Sequence, residues 1–180
     1  MIPGPEERPT ATGPKIRITV YKDSDHAHDV LTRRSVTGVL LFLNNTPVRW
    51  ISKRQKTVET STYGAELVAV RITTDLILEY WYSLRMMGCE PDGPALLLHD
   101  NNSVVLNYTM PNSVLKKKCS VCAYHRVREA VAGGMMKFTH IPSTMNYADI
   151  LTNPMSGTQL QDLVSPLLLR VPMDLSLIHI

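Results

Sequence analysis

The chain has 180 residues, 44% of them hydrophobic and 19% charged, with a formal net charge of +3. That length supports one domain with a real core, and the mild positive charge permits a nucleic-acid partner without demanding one. Cys89, Cys119 and Cys122 are too few for a disulfide framework, no apolar run reaches the roughly 18 residues of a membrane span, and no signal peptide opens the chain, so a soluble, intracellular protein with no membrane partner is expected.

Residues 1–15, "MIPGPEERPTATGPK", are rich in Pro and Gly and read as a linker. A first strand is predicted at about Lys15–Lys22, where Ile16, Ile18 and Val20 alternate with Arg17 and Thr19. Ser35–Asn45 and Thr46–Arg54 read as two strands joined by the tight turn "NNT", a hairpin. A long helix follows, capped by Ser61 or Thr62, with Leu67, Val70, Ile77, Leu78, Trp81 and Leu84 at helical spacing to about Met87 and Gly88 as its stop.

The continuous run "ALLLHDNN" (Ala95–Asn102) predicts a buried central strand. A short helix "NSVVLNYT", a basic loop "NSVLKKK" and a helix "SVCAYHRVREAVAGG" come next, the last with Val121, Tyr124, Val127 and Val131 inward. "MMKFTHI" reads as a short strand and "STMNYADILT" as a last, Ser-capped helix of one or two turns. The order β-β-β-α-β-α-α-β-α defines an α/β domain with a mixed five-stranded sheet flanked by helices.

Four carboxylates take unusual positions in this scheme. Asp23 opens "DSDHAHD" at the end of the first strand, and Asp100 ends the central strand, where sites in α/β sheets tend to form. Glu66 shares its helix face with Ala69 and Val70, so it packs toward the sheet and needs a cation. Asp149 is flanked by Ala148, Ile150 and Leu151. Acids gathered at one edge of a sheet repel one another, and divalent cations are the usual remedy. All-oxygen ligands favour Mg²⁺ or Mn²⁺.

The segments "VYKDSDHAHD", "RRSVTGVLLFLNNTPVRWISKRQKTVETSTYGAELVAV", "LLLHDNNSVV", "LKKKCSVCAYHRVREAV" and "HIPSTMNYADILTNP", in this order, resemble the ribonuclease H domain of copia-type LTR retrotransposon polyproteins. The resemblance covers about residues 15–155. It implies a ribonuclease H-like fold over residues 16–155, with three antiparallel strands first, and leaves 156–180 as a C-terminal tail. It further implies hydrolysis of the RNA strand of RNA–DNA hybrids, behind an upstream reverse transcriptase domain, in the cytoplasm (the element's virus-like particle) or the nucleus. A catalytically defective domain that only binds nucleic acid or supports the polymerase is the alternative, and a DNA-acting nuclease or transposase on the same fold is a third reading.

By this resemblance Asp23, Glu66, Asp100 and Asp149 are the catalytic and metal-binding residues of a two-metal hydrolysis that leaves a 5′-phosphate and a 3′-hydroxyl. Asp23 would bridge both ions, Asp149 would help hold the ion that activates water, and Glu66 with Asp100 would hold the ion at the leaving oxygen. Asp25 and Asp29 are the runners-up near the first strand. Backbone groups near Ser24 and the side chain of Asn102 are candidates for contact with the 2′-hydroxyls that distinguish RNA. Lys116, Lys117 and Lys118, with Arg126 and Arg128, form a basic stretch for phosphate contact, and "RQK" (Arg54–Lys56) is a candidate addition to it.

Other features weigh less. Cys119, Cys122 and His125 lack a fourth ligand at suitable spacing, so zinc is not expected. Cys119 also departs from the family, which usually carries histidine there. His140, near Asp149, is a candidate auxiliary for proton transfer or product release, against a plain strand-end histidine. His26 and His28 read as a polar loop beside the site. The final "LSLIHI" resembles a translated library-preparation adapter, so residues from about Pro172 are expected to carry no function, and Met1 is not expected to be a natural start.

Overall fold

A computed structural model describes residues 15–109 and 121–168 of the chain. The linker before residue 15, Lys116, Lys117, Lys118, Cys119 and the tail beyond residue 168 lie outside the described residues.

Five strands form one sheet in the order β3-β2-β1-β4-β5. β1 (Ile18–Asp25), β2 (Val36–Leu43) and β3 (Thr46–Arg54) make an antiparallel meander, while β4 (Ala95–His99) and β5 (Met136–His140) run parallel to β1. The mixed five-stranded sheet with three antiparallel strands first, as expected from the sequence, is therefore the one observed. β1 runs three residues past its predicted end. Its ladder with β2 continues through Asp23↔Gly38 to Asp25↔Val36, so Asp23 lies inside a paired strand and not in the loop beyond it.

α1 (Thr62–Met86) packs across β1, and Ser61 caps it by accepting a hydrogen bond from Gly64 N at 3.1 Å. Leu67, Val70 and Ile77 of α1 meet Ile18, Val20, Val39, Leu41 and Leu97 of the sheet in the main core. α2 (Asn102–Thr109) and α3 (Val121–Ala132) extend that core through Tyr108, stacked on Phe138 at 5.2 Å, and Tyr124 and Val127.

The opposite face of β1 and β2 is covered by a short 3-10 helix, Tyr147–Leu151. Sequence spacing predicted an ordinary last helix over this segment. The tighter form fits a stretch of five residues whose start is set by Asn146, which is buried and accepts from Ala148 N at 3.2 Å. Beyond it lies a helix the sequence reading left inside the tail, α4 (Gly157–Val164). A reciprocal capping box of Ser156 and Gln159 starts α4, a signal legible in the sequence.

Candidate active site

Period-two alternation along β1 divides its residues between two faces. Ile18, Val20 and Lys22 point toward α1, and Tyr21 and Asp23 toward the 3-10 helix, where Tyr21 packs on Tyr147 at 4.8 Å. β4 lies parallel beside β1 in the register Thr19↔Leu96, Val20↔Leu97, Tyr21↔Leu98. Beyond this register Lys22 Nζ and His99 Nε2 still lie 3.3 Å apart, and Asp23 and Asp100 are the next residues along the two chains.

The 3-10 helix closes the site from outside the sheet. Thr152, at its end, donates its hydroxyl hydrogen to Asp23 Oδ2, and Asn153 Nδ2 donates to the same oxygen at 3.3 Å. Carboxylate oxygens of Asp23, Asp100 and Asp149 then all lie within 4.8 Å of one another. Asp23 is buried and the other two are half-buried. Asp149 Oδ1 is buried and finds no hydrogen-bond partner among the described residues.

The electrostatics follow from this crowding. Burial, and then the charges of Asp23 and Asp100, push Asp149 up to about 7. Asp100 goes the other way: His99 Nδ1, 3.2 Å from Asp100 Oδ1, holds its carboxyl below the ordinary value. His99 itself is pulled down to about 4, first by burial and then by Lys22. His99 Nε2 lies 3.3 Å from Lys22 Nζ, and its Nδ1 lies 3.2 Å from Asp100 Oδ1 and accepts from the Asn101 backbone N–H at 3.2 Å, so the ring ties the end of β4 to the site.

Glu66 does not join the three aspartates. Its carboxylate, on α1, makes an ion pair with Lys22 and lies 3.4 Å from His99 Nε2. Sequence reasoning required a cation for a carboxylate on that face. The cation is Lys22, whose own burial sequence reasoning missed, although the even-numbered alternation Ile18-Val20-Lys22 carried the signal. Burial pulls the Lys22 ammonium down to about 7, and Asp23 and Asp100 oppose that shift. Contact with Glu66 acts in the same direction as those two acids.

Asp25 binds His28 Nδ1 at 2.5 Å and Asp29 pairs with Arg54; neither is in the acid cluster. Ser24 is buried and its hydroxyl has no partner among the described residues, while Asn102 is exposed at the start of α2. His140 is exposed, and its Nε2 lies 2.9 Å from the Asp100 carbonyl oxygen, which places it at the rim of the site. Arg126 is engaged by Asp75 at 3.9 Å and Glu129 at 3.4 Å. Cys122 and His125 are exposed on α3 and belong to no cluster of candidate ligands among the described residues.

No known protein-family profile matches the chain. The retrovirus-related Pol polyprotein from transposon RE1 of Arabidopsis thaliana is 30% identical over 163 residues, 89% of this chain and 11% of that polyprotein. Its counterpart from transposon RE2 of the same plant is 29% identical over 152 residues, 83% of this chain and 10% of the polyprotein. A solved RNase H1 isolated from compost, in complex with an RNA/DNA hybrid, superposes with a TM-score of 0.58 at 18% identity, over 76% of this chain and 94% of that one.

The fold is thus that of ribonuclease H. By sequence, the chain is a homologue of part of the retrovirus-related Pol polyproteins of copia-like transposons, as its ordered motifs indicate, and it spans about a tenth of their length.

Proposed function

We propose that this chain is a metal-dependent endonuclease that hydrolyses the RNA strand of RNA–DNA hybrids. The observation that carries the reading is the convergence of Asp23, Asp100 and Asp149 within 4.8 Å, on a ribonuclease H fold. The orphaned Asp149 oxygen and the mutual repulsion of these acids fit an oxygen-ligated divalent cation, Mg²⁺ or Mn²⁺. The hybrid bound to the compost RNase H1 supports the substrate, and the Pol polyprotein relatives support an upstream reverse transcriptase as partner.

Such an ion, when bound, lowers the pKa of a coordinated water and offsets the charge of the phosphodiester being cut. Asp23, Asp100 and Asp149 would hold it. Thr152 and Asn153 fix the rotamer of Asp23 by donating to Oδ2, and His99 orients Asp100 through Nδ1. Contact with the 2′-hydroxyls of the RNA strand is assigned to backbone groups near Ser24 and to the exposed side chain of Asn102. In the two-ion form, Glu66 would add its carboxylate beside Asp100 and would have to leave Lys22 to do so.

The test uses the purified chain, a hybrid labelled on the RNA strand, and Mg²⁺ or Mn²⁺. RNA-only cleavage is expected, absent with chelator and in Asp100→Asn or Asp23→Asn variants that keep the parental circular dichroism. A folded chain that leaves the hybrid intact, or an Asp100→Asn variant that cuts at the parent rate, overturns the reading.

A further inference from the structure

Behind the three aspartates, on the α1 face of the sheet, lies a second ionic cluster, in which Lys22 and His99 surround Glu66. Lys22 is 0% exposed, His99 0% and Glu66 4%. The Lys22 ammonium is paired with Glu66 and lies 3.3 Å from His99 Nε2, which is itself 3.4 Å from Glu66 Oε2. Lysine is among the residues least often fully buried. This one stands one residue before Asp23 in β1, and its His99 neighbour, the last residue of β4, stands one residue before Asp100. The fold therefore places a buried lysine, ion-paired with Glu66, directly behind the metal-ligand set.

Charge counting shows what that cation does. Lys22 and Glu66 cancel, so one divalent ion on Asp23, Asp100 and Asp149 leaves the site with a small net negative charge. A second divalent ion on the same three acids would make it net positive, beside an ammonium that repels it. The charge needed to hold that second ion is on Glu66, and taking Glu66 away leaves Lys22 buried without its partner, which is strongly unfavourable.

We propose that Lys22 is a positioning residue that sets ion occupancy: by acting as the built-in cation for Glu66, it makes the first ion independent of Glu66 and the second ion weak. The inference rests on the ribonuclease reading of the aspartates and deepens it.

Titration with Mn²⁺, followed by calorimetry and by the resonance of free Mn²⁺, tests it without any turnover. The parent should take one ion, with a second weaker by about tenfold or more. Lys22→Met releases Glu66 and should tighten the second ion by about tenfold. The double variant Lys22→Met/Glu66→Gln removes both buried charges together, so it is expected to fold even where a single variant does not. It should keep the first ion at parental affinity and show no gain in the second. The proposal is overturned if the double variant loses the first ion, since Glu66 is then its ligand, or if a folded Lys22→Met leaves the second ion unchanged. An Asp100→Asn control separates the two readings. If it binds the first ion as the parent does, or if the parent binds none, the metal reading of the aspartates falls too. If only Asp100→Asn loses the ion and Lys22→Met changes nothing, the role of Lys22 alone is rejected.

Discussion

Gly38 of β2 and Thr152 touch so closely that no methyl group fits between them. A Cβ on Gly38 would lie 2.7 Å from Thr152 Cγ2 and 2.8 Å from the Ala148 carbonyl oxygen. Gly38 is also the β2 partner of Asp23. The missing side chain thus lets the 3-10 helix lie directly on the sheet, and that contact brings both Asp149 and the Thr152 hydroxyl to Asp23. Gly38→Ala should lower stability by about 1–3 kcal/mol through overpacking, and should weaken Mn²⁺ binding because Asp149 is pushed outward. Denaturant titration and a Mn²⁺ isotherm on the same preparation check both. Parental ion affinity in the variant would show that the close approach serves packing alone.

Thr152 is buried and its hydroxyl is spent on Asp23 Oδ2. Thr152→Val keeps the shape and removes the donor, leaving Asp23 with Asn153 as its remaining side-chain donor. The expected result is ion affinity weaker by about tenfold to a hundredfold, the range for loss of a group that orients a metal ligand. Thr152→Ser should restore most of it. Equal affinity in all three proteins would remove Thr152 from the site.

Strand and helix positions in this chain were legible because they depend on local periodicity. The alternation of Ile18 and Val20, the Asn44–Asn45 hairpin, the Ser61 cap and the apolar run before Asp100 each announce their element within a few residues. The acids were legible as oddities: an aspartate or glutamate on an apolar face implies a partner. What the partner is depends on which elements pack together, and periodicity does not encode that. Glu66 needed a cation, and whether Lys22 or a metal supplies it follows from β1 lying under α1 with Lys22 on the inner face. The same holds for Thr152 and Asn153, whose role appears only when the segment after Tyr147–Leu151 crosses β2 at Gly38.

Asp29 offers a control for the acids. Its carboxylate accepts from Leu31 N and Thr32 N at 3.0 Å each and from Arg54, so it folds the loop back onto the end of β3. These hydrogen bonds, with that from Thr32 N first, hold its carboxyl well below the ordinary aspartate value. The loop contact is present above the usual aspartate range and is lost only in strong acid. Asp29→Ala should loosen the loop, seen as faster proteolysis near Val30 and Leu31, and leave Mn²⁺ affinity at the parental value. Loss of ion binding in this variant would promote Asp29 to a ligand.

Asp149 makes the metal-free chain sensitive to pH in a direction that can be worked out. An aspartate in an unfolded chain ionises near pH 4, whereas burial and the charges of Asp23 and Asp100 push Asp149 up to about 7 in the native chain. Between those values the native chain holds a proton that the unfolded chain has released, so this contribution to stability is complete at the acid end and is lost as pH rises through about 7. In chelator, the urea midpoint of the parent should fall between about pH 5 and about pH 7.5, relative to Asp149→Asn, which has no proton to lose there. Adding Mn²⁺ should reverse the parent's trend, because the ion requires the ionised carboxylate and binds better as pH rises. Parallel pH profiles for parent and variant in chelator would mean that Asp149 is not forced against its two neighbours, and the crowding that argues for a bound cation would lose its support.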